Sequence, residues 1–484
     1  MSQAPDENTG PVRQSIKSRA WLVLVGIAVV AGVLVTLNLF READDAAPSR
    51  ETAGSPSDPE FGLDDFFLLL EFDNQVALRG LQRIEDNWEP AHVTMLSELL
   101  RFVQSPVVTE SVVALLEKKT GQSDASDRRF WLKWVWQQDY EPPESYASFK
   151  ARLYSRMDTR FPEYFSDDYP ATIRLDEIVW GGVSRDGIPP LKDPEMIPAD
   201  EADYLDDSNV VFGVVVNGDA RAYPKRILAH HEMVKDVIGG VSMNGVYCTL
   251  CGSMILYRTD VDGVHYELGT SGFLYRSNKL MYDHETKSLW STLAGKPVVG
   301  PLVGSGVKLP RHHVVTTTWG EWRERHPDTK VLSLNTGHRR DYREGAAYRD
   351  YFATDELMFL VPGSDTRLKN KDEVLALRSD EPEEQLAISA NFLASHPIYH
   401  DQIGDVKLVV LTDQSGANRV YATGGRRFEP GRTADTFADN NGDVWRQSES
   451  GLISDTGDSL ERLPAHRAFW FGWHAVYPET RLVK

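Results

Sequence analysis

Only two cysteines occur in the 484 residues, and both belong to one C-x-x-C, Cys248 and Cys251 in the run YCTLCGSMILY. Two thiols at this spacing can hold a soft metal ion, close into a disulfide, or exchange electrons with another thiol pair. A thioredoxin-type pair sits at a helix N-terminus, where the dipole lowers the thiol pKa. Here β-branched and aromatic flanks, with Gly252 directly after, predict a strand-turn knuckle instead. A tetrahedral metal site needs more donors, and the chain has no second C-x-x-C. The candidates are His231 in AHHEMVKD, and Met281 and Asp283 in LMYDHETKSLW. Any one of these side chains is more often hydrogen-bonded or solvated than metal-bound. Two thiolates with an imidazole and a thioether suit copper or zinc. A metal-free, reversible disulfide is the other reading, with Glu232 or Asp283 moving protons.

The elements that must position these groups are legible in outline as an α+β chain. Residues Trp21–Phe40 form an uncharged apolar run preceded by Arg13, Lys17 and Arg19 and followed by Glu42, Asp44 and Asp45. Twenty such residues match a hydrocarbon core of about 30 Å, and the charge flanks predict a cytoplasmic tail (1–20), a transmembrane helix (21–40) and an exported remainder. That places the chain in the inner membrane as a single-pass protein with its bulk on the periplasmic or extracellular side. An Asp/Ala/Pro/Ser/Gly tether (41–60) follows. A helical module (61–171) is predicted next. Val93, Leu96, Leu100 and Val103 fall at helical spacing, Pro106 interrupts, and Val108, Val112, Leu115 and Leu116 continue to a C-cap at Gly121. Two or three antiparallel helices are expected there, with the FWLKWVW run (Trp131, Trp134, Trp136) forming a core or a seam.

From Ile173 the pattern changes to short β-like runs broken by Gly, Asp and Pro, and this region contains an internal repeat. WGEWRERHPDTKVL (319–332) recurs as WFGWHAVYPETRLV (470–483), KDVIGG (235–240) as HDQIGD (400–405), and KSLW as GDVW. Trp290, Trp319 and Trp322 thereby match Trp445, Trp470 and Trp473. Two β-rich half-domains follow, 172–335 with the C-x-x-C and 336–484 without cysteine, packed about a pseudo-twofold axis. In the second copy Cys248 and Cys251 correspond to Asp413 and Gly416, so the half-domain plan does not need thiols for packing. An installed site explains them better.

The first copy resembles the bacterial and archaeal family known as domain of unknown function 3179. The carrying segments are IRLDEIVWGGVSRDGIPPL, ARAYPKRILAHHEMVKDVIGG, YCTLCGSMILY, LMYDHETKSLW and TTTWGEWRERHPDTKVLS. The resemblance spans about 172–484 and implies a cell-envelope setting but no activity.

Other function classes find little support. With 72 acidic against 52 basic side chains, a net charge of −20 argues against a nucleic-acid partner. No P-loop, dinucleotide fingerprint, H-E-x-x-H or G-x-S-x-G occurs, and nothing suggests a nucleotide, flavin or haem. D-N-N-G-D from Asp439 lacks the bidentate Glu of a calcium loop, since its twelfth position is Gly451. The function expected is therefore a metal-binding or redox centre in an envelope protein. The alternatives are an exported enzyme using the metal or thiols on a small molecule, and a structural protein stabilised by a metal knuckle.

Overall fold

Near-continuous apolar residues in the runs VVFGVVV and VYC–SMILY require sheets whose strands are largely covered on both faces. The computed structural model, which describes residues 60–123, 128–433 and 435–484, contains six sheets, all of them built from strands between Ile178 and Val483. The expected tail and membrane helix, and the tether short of its last residue, lie outside the described residues. Among those described, no helix is long and apolar enough to cross a membrane. The chain is a mixed α+β protein dominated by antiparallel sheet.

Two sheets show the duplication directly. In the first region the hairpin Val210–Val216/Asp219–Pro224 takes Val315–Thr318 antiparallel on one edge and Lys330–Leu332 parallel on the other. In the second, Glu373–Asp380/Glu383–Ser389 takes Ala465–Phe469 and Arg481–Val483 in the same senses. Each copy places a seven-residue helix between its two edge strands, Trp319–Arg325 and Trp470–Val476. The paired tryptophans serve as pins. Trp322 Nε1 donates to Thr329 Oγ1 at 2.9 Å, and Trp473 Nε1 donates to Thr480 Oγ1 at 2.9 Å. Likewise Trp290 donates to Asp283 at 3.0 Å and Trp445 to Asp439 at 3.2 Å. Buried indoles with a satisfied N–H anchor the same places twice.

The copies also exchange contacts. Phe469 N–H, from the second copy, donates to the Cys251 carbonyl at 2.7 Å. In return Thr317 of the first copy meets Ser415 of the second at 3.1 Å. Each copy's turn is thus in contact with the other's edge strand.

The helical region contains more helices than the periodicity suggested: Leu63–Phe67, Asn74–Asp86, His92–Leu99 and Pro106–Thr120 precede Gly121, which takes the expected left-handed C-cap with φ +74°. Pro106 starts a helix rather than merely breaking one, because a proline at the first helical position sacrifices no hydrogen bond; Ser105 caps it. These helices, with Arg128–Val135 and Tyr146–Ser155, do not stand apart. Trp131, Phe149 and Tyr154 share one core with Ile178, Phe273, Leu280 and Val299 of the sheet Ile178–Trp180, Leu268–Tyr275, Asn278–Asp283, Leu289–Ser291 and Lys296–Val299. The helical region is a layer on that sheet, and residues 61–484 form one compact unit.

Candidate functional site: a buried dithiol turn

Cys248 ends the strand Val241–Cys248 and Ser253 begins the next, so the C-x-x-C is a hairpin turn. Cys251 N–H donates to the Cys248 carbonyl at 3.1 Å, and in the second copy Gly416 N–H donates to the Asp413 carbonyl at 3.0 Å. The backbone turn is therefore the repeat's own, and the thiols are added to it. Gly252 closes the turn at φ +62°, and a β-carbon there would lie 3.1 Å from the Phe469 ring. Both cysteines are free and buried, Cys248 3% and Cys251 1% exposed.

A second hairpin meets the sulfurs. Strands Leu268–Tyr275 and Asn278–Asp283 are joined by Arg276 and Ser277, both at positive φ (48° and 66°). A two-residue hairpin of this hand usually uses Asn-Gly, because side chains there are strained. Arg276 pairs with Glu177 (3.0 Å) and donates to the Ala475 carbonyl (2.8 Å), and Asn278 donates to the Gly472 carbonyl at 2.7 Å, which offsets the strain. The result is that the Ser277 carbonyl accepts from the Cys251 thiol at 3.3 Å, while the Lys279 backbone N–H faces the Cys248 sulfur. Gly472 lets the second copy close over this point, since a β-carbon there would be 3.2 Å from Cys251 Sγ.

The hydrogen bond from Cys251 lowers the pKa of Cys248, aided by backbone donors, while burial and the neighbouring sulfur push Cys251 well up. Of the two thiols Cys248 is thus the more readily ionised. Nearby, Glu232 ends the helix Lys225–His231 at φ 55°, a position where glycine is usual, and its carboxylate pairs with Lys279 Nζ at 3.2 Å. Both side chains are buried, and the Glu232 charge reaches both thiols. Around the centre lie Leu132 and Trp136 of the helical layer, and Tyr348 and Tyr351 of the connector between the copies. Tyr351 donates to the Leu250 carbonyl at 2.8 Å. Trp136 is indeed a seam residue, with its Nε1 donating to the Asp176 carbonyl at 3.0 Å.

The other expected ligands have different tasks. His231 uses Nδ1 on the Pro189 carbonyl (2.9 Å) and Nε2 on the Tyr342 hydroxyl (2.5 Å), so neither ring nitrogen is turned to the sulfurs. Met281 is packed in the core with Trp290 and Val246, its sulfur 3.9 Å from the Asn244 amide. Asp283 accepts from Thr286 N–H (2.6 Å), Thr286 Oγ1 (2.7 Å) and Trp290. Among the described residues no three His, Cys, Asp or Glu gather as a metal site requires. Of the expected copper or zinc ligands Cys248, Cys251, His231, Met281 and Asp283, the structure brings together the two cysteines on one turn and engages His231, Met281 and Asp283 elsewhere. The repeat carried a usable signal for Asp283, because Asp439 does the same work for Trp445. Lys279 was missed, although a lysine inside the apolar strand NKLMYD is itself a sign of a buried partner.

Burial lowers His231 to about 4 and His313 and His466 to about 3. The folded chain keeps these imidazoles neutral while the unfolded chain protonates them below about 6.5. Their stabilising contribution is thus complete above about pH 6.5 and is lost as pH falls toward about 4 and then about 3, by ~1.4 kcal/mol per pH unit for each imidazole. Thermal melts from pH 7 to pH 4.5 should show a steady fall in Tm, shallower in His231→Gln; a flat profile contradicts the assignment.

A family model described as "Protein of unknown function (DUF3179)" matches residues 185–480. No curated protein and no solved structure matches the chain.

Proposed function

The chain belongs to this family of proteins of unknown function, and from its centre we propose that Cys248 and Cys251 form a reversible dithiol–disulfide couple in a membrane-anchored envelope protein. The apolar run Trp21–Phe40 supplies the anchor in this reading. The single observation that carries the redox role is geometric: two free, buried cysteines stand on one tight turn whose twin in the second copy needs no sulfur. A small disulfide RSSR is the oxidant. The Cys248 thiolate attacks one sulfur, the S–S bond breaks, and the first RS⁻ leaves. Cys251 gives its proton to the departing RS⁻ and attacks the Cys248 sulfur, expelling the second RS⁻. Two electrons move to RSSR, and the protein holds the new disulfide. Burial of both sulfurs favours small reagents over protein disulfides.

The test is to equilibrate the full-length protein in glutathione redox buffers and count free thiols by alkylation and mass. Both thiols should disappear together in a two-electron transition, and Cys251→Ser should retain glutathione on Cys248. The reading is overturned if neither species forms, or if copper or zinc purifies at one ion per chain and shields the thiols.

A further inference from the structure

We propose that the cleft between the two copies, beside the dithiol turn, binds a small carboxylate anion through the Lys225 ammonium and the Tyr247 hydroxyl. The cleft has a volume of about 210 Å³ and opens between the copies. Its walls are Thr316–Thr318 of the first copy, Ser415, Gly416 and Arg467 of the second, and Tyr247 and Gly252, the two residues that flank the C-x-x-C. This is space for a molecule of only a few heavy atoms, well below an ordinary cofactor pocket.

The charges in the cleft do not cancel. Arg467 and Glu373 neutralise each other at 2.9 Å, and Arg467 donates further to Asn418 Oδ1 (2.7 Å) and the Gly416 carbonyl (2.6 Å). Lys225 forms no ion pair among the described residues and rests instead over the Phe352 ring at 4.8 Å. One uncompensated cation remains. A lysine in the first turn of a helix also opposes the helix dipole, so its charge does not serve the helix.

The second observation is independent. Tyr247 is 1% exposed, and its hydroxyl has no hydrogen-bond partner among the described residues, although the residue lines the cleft. A buried hydroxyl left unpaired costs about 1–3 kcal/mol, so such groups are normally satisfied. An anion in the cleft would accept from it. The Thr318 hydroxyl already accepts from Glu321 N–H, leaving its own proton available as a further donor. A single surplus positive charge with neutral donors, facing the fixed carboxylate of Glu373, selects a monoanion over a phosphate dianion. This site is read from the cleft alone and stands apart from the redox proposal.

Calorimetric titration of the full-length protein at constant ionic strength tests it, with acetate, propionate, propionamide and inorganic phosphate as probes. Propionate should bind saturably, at least tenfold more tightly than propionamide or phosphate. Lys225→Met should weaken it at least tenfold, with Lys225→Arg retaining most of the affinity. Tyr247→Phe should weaken it severalfold with no loss of Tm in the unliganded protein. The proposal is overturned if no carboxylate binds, if phosphate or propionamide binds as well, or if Lys225→Met binds like wild type.

Discussion

Lys279→Met should lower the unfolding free energy by about 3–5 kcal/mol, the largest single effect expected at the thiol centre. The ammonium lies 3.2 Å from Glu232, and the two side chains are 4% and 10% exposed. Removing the cation strands a carboxylate that cannot swing into water, because Glu232 is pinned at the helix end at positive φ and its carbonyl accepts from Tyr247 N–H at 2.9 Å. The double variant Glu232→Gln/Lys279→Met removes both charges and should recover most of the loss, since apolar replacement of a buried pair is often neutral. Urea unfolding at unchanged slope measures both; a loss below about 1 kcal/mol in the single variant, or no recovery in the double, refutes the coupling. The thiols add a second reading. The Lys279 backbone amide, not its ammonium, faces Cys248, so Lys279→Met should leave the alkylation pH profile of Cys248 near wild type. Cys251→Ala should move that profile upward, because the Cys251 thiol is the largest cause of the lowered Cys248 pKa.

Lys150→Met should cost a similar ~3–5 kcal/mol, here at the junction of helices and sheet. Lys150 and Glu98 are fully buried, 2.8 Å apart, and Lys150 also donates to the Ile178 carbonyl at 2.7 Å. Tyr146 and Tyr154 donate to the same carboxylate. One lysine therefore ties the helix Tyr146–Ser155 to another helix and to the first strand of the sheet. Its removal leaves Glu98 with two phenol donors and no cation. The urea midpoint should drop accordingly, and an unchanged midpoint would show that the phenols suffice.

The helical layer was legible as helices because apolar spacing and caps such as Ser105, Pro106 and Gly121 act within one turn of the chain. Its merger with the first sheet was not, since Trp131 and Phe273 become neighbours only through packing. The duplication was legible because tryptophans at matching intervals preserve their spacing whatever they touch, and the structure explains the spacing by the Thr329 and Thr480 acceptors.

At the centre the division is sharper. The sequence alone determined that two thiols share a turn and that a second copy of that turn does without them, because both statements depend on residue type and local spacing. Only the tertiary structure decided what surrounds the sulfurs. The Ser277 carbonyl and the Lys279 amide are backbone groups, which leave no residue-type signature, and they arrive through a strained hairpin 26 and more residues away. His231, Met281 and Asp283 have the right donor atoms for a metal, but a donor's direction is set by its own hydrogen bonds and packing. Those bonds turn all three away from the sulfurs and leave Glu232 and Lys279 as the charges beside the dithiol.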